Sequence, residues 1–251
     1  MNEIQQNETT PNSRLGKVAL ITGASSGLGA ATVTAFADAG YHVAAVDIRS
    51  STKPARSLGS GTIMRFSADV TDAQAMEQAV SEAFSRFHRI DALINCAGID
   101  HTLWIEELSV EQFDQVIGVN LRGPFLLAKL VWPIMRRQGG GHIVNVASTA
   151  ALRAWGGASA YHASKFGLVG LSRGLGVEGR ECGIDVITVI PGGMRTQFFD
   201  RFRDQGIPLP PEENLQDPDH VAKTILFAVT MPQGSVVQEI LVTPRLETSW
   251  P

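Results

Sequence analysis

From Lys17 onward, short apolar runs alternate with longer stretches in which apolar residues recur at helical spacing. The short runs are KVALIT (17–22), YHVAAVDI (41–48), IDALINCAG (90–98), GHIVNVAS (141–148), GIDVITVIPG (183–192) and QEILVTP (238–244), each bounded by Gly, Pro, Asp or Ser. Several are apolar on both parities, as expected of strands covered on both faces. A further strand is expected ahead of Asp69. The longer stretches predict helices over 27–39, 72–87, 109 to about 135, 158–179 and 217–230. Their starts carry capping chemistry: Thr71-Asp72, Ser109 with Gln112 in capping-box register, and Asp217-Pro218 with proline in the first turn. Strand and helix alternating throughout predicts an α/β fold, a doubly wound parallel sheet with helices on both faces. No internal repeat or low-complexity segment interrupts it. One domain is expected over 15–251, preceded by a polar, flexible tail over 1–14.

Composition narrows the class. The chain has 251 residues, 44% hydrophobic and 18% charged, with a mean hydropathy of +0.05. At this length roughly three quarters of the unfolded surface can be buried, so neither disulfide nor metal is needed for stability. The net charge of −4 argues against nucleic acid, which demands a clustered basic excess. Cys96 and Cys182 lie far apart in apolar contexts, without a disulfide framework or metal-ligand spacing, and fit a reducing cytoplasm. No apolar run approaches the ~18 residues of a membrane span, and residues 1–14 lack a signal-peptide core. A cytoplasmic protein with no metal, no nucleic-acid partner and no membrane association is expected.

The chemistry begins at Thr22-Gly23-Ala24-Ser25-Ser26-Gly27-Leu28-Gly29, between the first strand and the first helix. One or two glycines after a strand are ordinary turn chemistry. Three of them let the backbone approach a pyrophosphate seated on the helix N-terminus. No Gly-Lys-Ser/Thr follows, so a P-loop is excluded. Asp47 ends the second strand, 18 positions after Gly29. A carboxylate there accepts hydrogen bonds from both hydroxyls of an adenosine ribose and repels a 2′-phosphate, favouring NAD(H). Arg49 leaves room for NADP(H). Asp69 and Val70 are expected near the adenine, and Asn95-Cys96-Ala97-Gly98 places small residues where backbone passes close to a cofactor.

Tyr161 and Lys165, four apart in a predicted helix, share a face. A free tyrosine titrates near ~10 and is a poor proton carrier at neutral pH. A nearby ammonium, together with the positive nicotinamide of an oxidised cofactor, stabilises the phenolate and is expected to lower that value toward the working range. Ser148, 13 residues earlier at a strand end, offers a hydroxyl to a substrate carbonyl or alcohol. Asn120 falls mid-helix, where asparagine is disfavoured. It either bonds back to its own helix or orders a water that leads protons from Lys165.

Together these ordered motifs closely resemble the short-chain dehydrogenase/reductase family, in its single-domain branch of ~250 residues. The resemblance spans Lys17 to about residue 230 and includes Pro191-Gly192 and Thr196. It implies a Rossmann-like sheet of seven parallel strands and a nicotinamide cofactor. It also implies an Asn120–Ser148–Tyr161–Lys165 tetrad with Tyr161 as acid/base. Pro191, Gly192 and Thr196 then frame the nicotinamide end. The activity implied is hydride transfer between NAD(H) and a secondary alcohol or ketone. An NADPH-dependent carbonyl reductase and a non-catalytic dinucleotide sensor are the alternatives. Ser26 stands where NADP-preferring members tend to carry a basic residue, and Cys96 replaces a second asparagine. The usual Asp-Gly-Gly after the last strand is missing. A homodimer through the long helices, or a homotetramer, is implied. By analogy the substrate pocket is lined by 101–104, 148–155 and 193 to about 203, with a lid at about 193–213. Trp104 and Trp155 point to an apolar or cyclic substrate.

Overall fold

The computed structural model describes residues 16–49 and 61–247. The expected tail over 1–14 and the terminal Trp250-Pro251 lie outside the described residues. Seven strands form one parallel sheet: β1 (Val18–Thr22), β2 (His42–Asp47), β3 (Ile63–Ser67), β4 (Ala92–Asn95), β5 (Gly141–Val146), β6 (Ile184–Pro191) and β7 (Glu239–Val242). Their order is β3-β2-β1-β4-β5-β6-β7. The chain starts mid-sheet at β1, winds out to β3, then crosses back to β4. The carboxyl ends of β1 and β4 therefore flank a switch point, where open α/β sheets form their ligand crevice.

Helices α1 (Gly27–Asp38), α2 (Ala73–Phe87), α3 (Val110–Ile117), α4 (Gly123–Arg137), α5 (Ser159–Gly179), the short α6 (Asp200–Asp204) and α7 (Pro218–Val229) complete the fold. The two-faced apolarity of the strands has a direct packing counterpart. Ala19 and Ile21 of β1 pack into the core shared with Phe36, Val221 and Ile225. Leu20 points the other way, to Met76, Leu127 and Met135. Every residue of β1 is buried, because alternate side chains meet helices on opposite faces. β3 is an edge strand with Arg65 and Ser67 exposed, which explains its weak apolar signature.

The capping signals act as read. Asp72 accepts from the backbone N–H groups of Gln74 and Ala75. Ser109 and Gln112 form a reciprocal capping box, and Asp217 caps α7 ahead of Pro218.

One element differs. The single helix expected from 109 to about 135 is α3, a π-helical turn over Gly118–Arg122, and α4, which runs on past Pro133 to Arg137. The cause lies at Asn120. Its Nδ2 donates to Ile99 O (2.8 Å) and Ser164 Oγ (3.0 Å), and its Oδ1 accepts from Ile99 N (2.9 Å). The side chain thus bonds outward to the β4 loop and α5, not back to its own helix. The widened turn belongs to the class of π-bulge common at functional sites.

Candidate active site

The glycine loop leaves β1 at Gly23 and enters α1 at Gly27, both at positive φ (65° and 50°). A Cβ on Gly23 would lie 2.9 Å from Ala97 Cα, and one on Gly29 would lie 1.9 Å from Gly23 O. These positions admit no side chain without displacing backbone. Ser26 begins α1 without a side-chain cap, so the first-turn N–H groups are not satisfied that way. Ser25 Oγ is buried with no hydrogen-bond partner among the described residues. Unsatisfied donors at the start of a 12-residue helix, beside an orphan hydroxyl, fit the pyrophosphate of a dinucleotide.

Asp47 organises the loop from the end of β2. Its Oδ2 accepts from Ser25 N (3.0 Å) and its Oδ1 from Arg49 N (2.9 Å). Arg49 reaches back to donate to Ser26 Oγ at 2.9 Å. Asp69 Oδ1 accepts from both the backbone and hydroxyl of Thr71 (2.8 Å each), a local turn that holds the carboxylate at the cleft wall.

At the other end, Ser148 closes β5 and Tyr161 and Lys165 project from one face of α5. Lys165 Nζ donates to Val146 O (2.8 Å) and lies 5.6 Å from the Tyr161 ring centroid. Burial pushes the Tyr161 phenol up to about 12, while its hydrogen bond with Ser148 acts in the opposite direction. Burial also pulls Lys165 down to about 8. The lowered tyrosine pKa is expected with the oxidised cofactor in place; in the chain alone, desolvation of the buried phenolate dominates. Desolvation likewise raises Cys96, which is partly buried, to about 12, so it is no ready thiolate.

One cleft of about 960 Å³ joins the two ends. Of the residues singled out from sequence, Gly23, Ser26, Gly27, Leu28, Gly29, Asp47, Asp69, Val70, Ala97, Gly98, Ser148, Tyr161, Lys165, Pro191, Gly192 and Thr196 line it. Ser25, Asn95 and Asn120 do not. Ser25 contributes its N–H to Asp47. Asn95 turns into the sheet, donating to Asn145 Oδ1 at 2.8 Å. Asn120 stands behind Gly98, where a Cβ would sit 3.5 Å from Asn120 Oδ1 and 3.6 Å from Lys165 Nζ.

The segment after β6 borders the cleft. Phe198, Phe199 and Phe202 line it, and the Phe198 ring lies 5.6 Å from that of Tyr161. Trp155 also lines it, whereas Trp104 is exposed outside the lining set. Arg153 is paired with Glu247 at 2.9 Å, and Arg195 donates to Leu215 O. His162 bonds the backbone of Ala150 and Trp155. Among the described residues no cluster of three His, Cys, Asp or Glu side chains is arranged to hold a metal, and no helix is long and apolar enough to cross a membrane. Sequence reasoning missed Asp100 and Arg201, which pair inside the cleft at 2.9 Å. The only local signal was an acidic residue two places after Ala97-Gly98.

Residues 17–206 match the family model described as short chain dehydrogenase. The chain is 39% identical over 221 residues to D-threitol dehydrogenase of Mycolicibacterium smegmatis, covering 84% of this chain and 85% of that protein. Among solved structures, levodione reductase superposes with a TM-score of 0.82 at 30% identity, over 94% of this chain and 99% of the other. A 3-ketoacyl-(acyl-carrier-protein) reductase from Brucella melitensis, complexed with NADH, superposes with a TM-score of 0.80 at 31% identity, over 94% of this chain and all of the other.

Proposed function

Because the chain belongs to the short-chain dehydrogenase family and is an oxidoreductase that transfers hydride between a nicotinamide dinucleotide and an alcohol or ketone, we propose that it prefers NAD(H) and uses Tyr161 as its acid/base. The observation that carries this reading is a single cleft with Asp47 and the glycine loop at one end and Ser148, Tyr161 and Lys165 at the other. Asp47 supports NAD(H) through the negative charge it places where a 2′-phosphate would fall. The Brucella relative, crystallised with NADH, agrees with it.

When bound, the nicotinamide supplies or accepts the hydride. The chain's own residues manage the proton and the geometry. Ser148 holds the substrate oxygen through its hydroxyl. In oxidation Tyr161 takes the alcohol proton as the C–H bond breaks, and in reduction it returns a proton to the forming alkoxide. Burial keeps the phenol protonated, which suits it as the acid. As a base it needs the positive charge of Lys165, four residues along the same helix face. Asn120 fixes the Ile99 backbone. The space left by Gly98 between Asn120 Oδ1 and Lys165 Nζ supports a water-borne proton path there. The aromatic segment over about 193–213 acts as the lid that excludes water from hydride transfer. Exposed Phe125 on α4 and Phe166 on α5 support association of copies through the long helices, as a homodimer or homotetramer. The free cysteines support a reducing, cytoplasmic setting.

The test is fluorescence titration with NADH and NADPH separately. NADH bound tighter by about tenfold or more supports the Asp47 assignment. Equal or tighter NADPH binding would mean that Arg49 outweighs Asp47. Cofactor binding without turnover of any alcohol or ketone, unchanged in Tyr161→Phe, would instead identify a sensor.

A further inference from the structure

His162 follows Tyr161 in α5, yet it does not line the cleft. It is only 8% exposed, and both ring nitrogens meet backbone groups of the loop that leads from Ser148 to α5. Nδ1 lies 2.8 Å from Ala150 O, and Nε2 lies 3.1 Å from Trp155 N. An amide N–H only donates and a carbonyl only accepts. Nε2 is therefore the bare acceptor and Nδ1 carries the proton, so the two bonds agree on one neutral tautomer. The Trp155 and imidazole rings also meet edge to face, with centroids 4.4 Å apart.

The two backbone groups bracket the reacting end of the cleft. Ser148 opens a short 3₁₀ turn over Thr149–Ala151, and its hydroxyl accepts from Ala150 N at 3.1 Å. The carbonyl of that same Ala150 is the one His162 holds. Ala150 packs with Ala158, Tyr161 and Phe198, and Trp155, further along the loop, lines the cleft. One ring beside Tyr161 thus ties down both the turn that presents the Ser148 hydroxyl and a tryptophan of the cleft wall. An apolar side chain at this position would strip the Ala150 carbonyl and the Trp155 N–H of these partners, which a protein interior penalises. Ser148 and Tyr161 share a hydrogen bond and must meet one substrate oxygen together. Their spacing depends on how this loop sits on α5, and a misplacement of about 1 Å costs about a hundredfold in rate.

We propose that His162 is a positioning residue for hydride transfer. Its neutral ring clamps the Ser148 turn and the Trp155 backbone onto the helix that carries Tyr161, so that the two hydroxyls meet the same substrate oxygen. It touches neither substrate nor cofactor and acts through Ser148. This inference rests on Ser148 and Tyr161 being the reacting pair.

The test is a double-mutant cycle with Ser148, read as kcat/KM for 2-butanone and cyclohexanone with NADH and for 2-butanol and cyclohexanol with NAD. His162→Phe keeps a ring against Trp155 and removes both backbone bonds. It is expected to lower kcat/KM by about 10- to 100-fold, with NADH affinity within about twofold of wild type as the check on folding. His162→Gln, which retains one donor and one acceptor, should recover activity to within about fivefold of wild type. In a Ser148→Ala background the same His162→Phe change should cost less than about threefold, because the hydroxyl it aligns is gone. Should His162→Phe fail to bind NADH, His162→Asn, whose shorter amide cannot span both backbone groups, replaces it in the cycle. Nitrogen-15 NMR of the imidazole should show a protonated Nδ1 and a bare Nε2. Wild-type kcat/KM in a variant lacking both bonds overturns the proposal, as does the opposite tautomer. Equal losses with and without the Ser148 hydroxyl also overturn it, since His162 would then only hold the fold together. Turnover of none of the four probes with either cofactor would count against the Ser148–Tyr161 reading itself, and the role of His162 would fall with it.

Discussion

The ammonium of Lys165 lies 5.6 Å from the centroid of the Tyr161 ring and donates to Val146 O at 2.8 Å. The carbonyl at the end of β5 anchors the lysine at a point where both groups are buried. Ring and ammonium are thereby placed side by side, out of water.

Tyr161→Phe removes the transferable proton and the bond to Ser148 while keeping the ring against Phe198. We expect kcat/KM to fall by about a hundred- to ten-thousand-fold, with NADH affinity within about twofold of wild type. Steady-state kinetics and a fluorescence titration measure the two. Near-normal turnover would remove Tyr161 from the mechanism.

The pH response of stability isolates Lys165. Burial holds it at about 8 against an ordinary 10.5, so between those values the unfolded chain binds a proton that the folded chain does not. Stability of the cofactor-free protein therefore rises with pH across that window, and it is lowest below it, where the charged ammonium must be carried inside. Lys165→Met lacks this dependence. Urea unfolding of both proteins between about pH 7 and about pH 10 should show the gap in favour of the variant narrowing as pH rises. A gap that is constant or widens would contradict the assignment.

Asp47→Ala loses the acceptors for the Ser25 and Arg49 amides together with the charge proposed to meet the ribose. The ratio of NADPH to NADH dissociation constants is expected to drop by about tenfold, with Arg49 freed to meet a phosphate. An unchanged ratio would show that specificity is set elsewhere.

Gly29→Ala tests the packing of α1 on its own loop. A methyl group there would sit 1.9 Å from Gly23 O, so the loop must move. A destabilisation of about 1–3 kcal/mol and at least tenfold weaker NADH binding are expected, read by denaturant unfolding and titration. Wild-type values for both would mean that the loop yields freely and is not held for a ligand.

The parts of the molecule legible in sequence are those whose signal is local. Strand β1 announced itself because Ala19 to Ile21 meet opposite cores in turn. The capping box at Ser109, the three glycines after Thr22, and Tyr161 four residues before Lys165 are likewise settled within one turn of chain. Glycine is required where a Cβ has no room, and residues four apart share a helix face whatever surrounds them.

What remained hidden depends on partners far along the chain. The π-turn at Asn120 is chosen by bonds to Ile99 and Ser164, 21 and 44 residues away, so no helical periodicity could reveal it. Asn95 read as a cofactor residue beside Ala97 and Gly98, yet its side chain pairs with Asn145 across the sheet, because strand register decides which face it takes. The upward push of burial on Tyr161 in the cofactor-free chain is a property of packing alone. Asp100 and Arg201 pair only because the fold brings together residues 101 positions apart. The sequence determined the scaffold and the reacting groups, since both follow from short-range sterics and spacing. Tertiary structure decided how burial shifts those groups and which distant residues pair, since desolvation and long-range hydrogen bonds exist only in the folded chain.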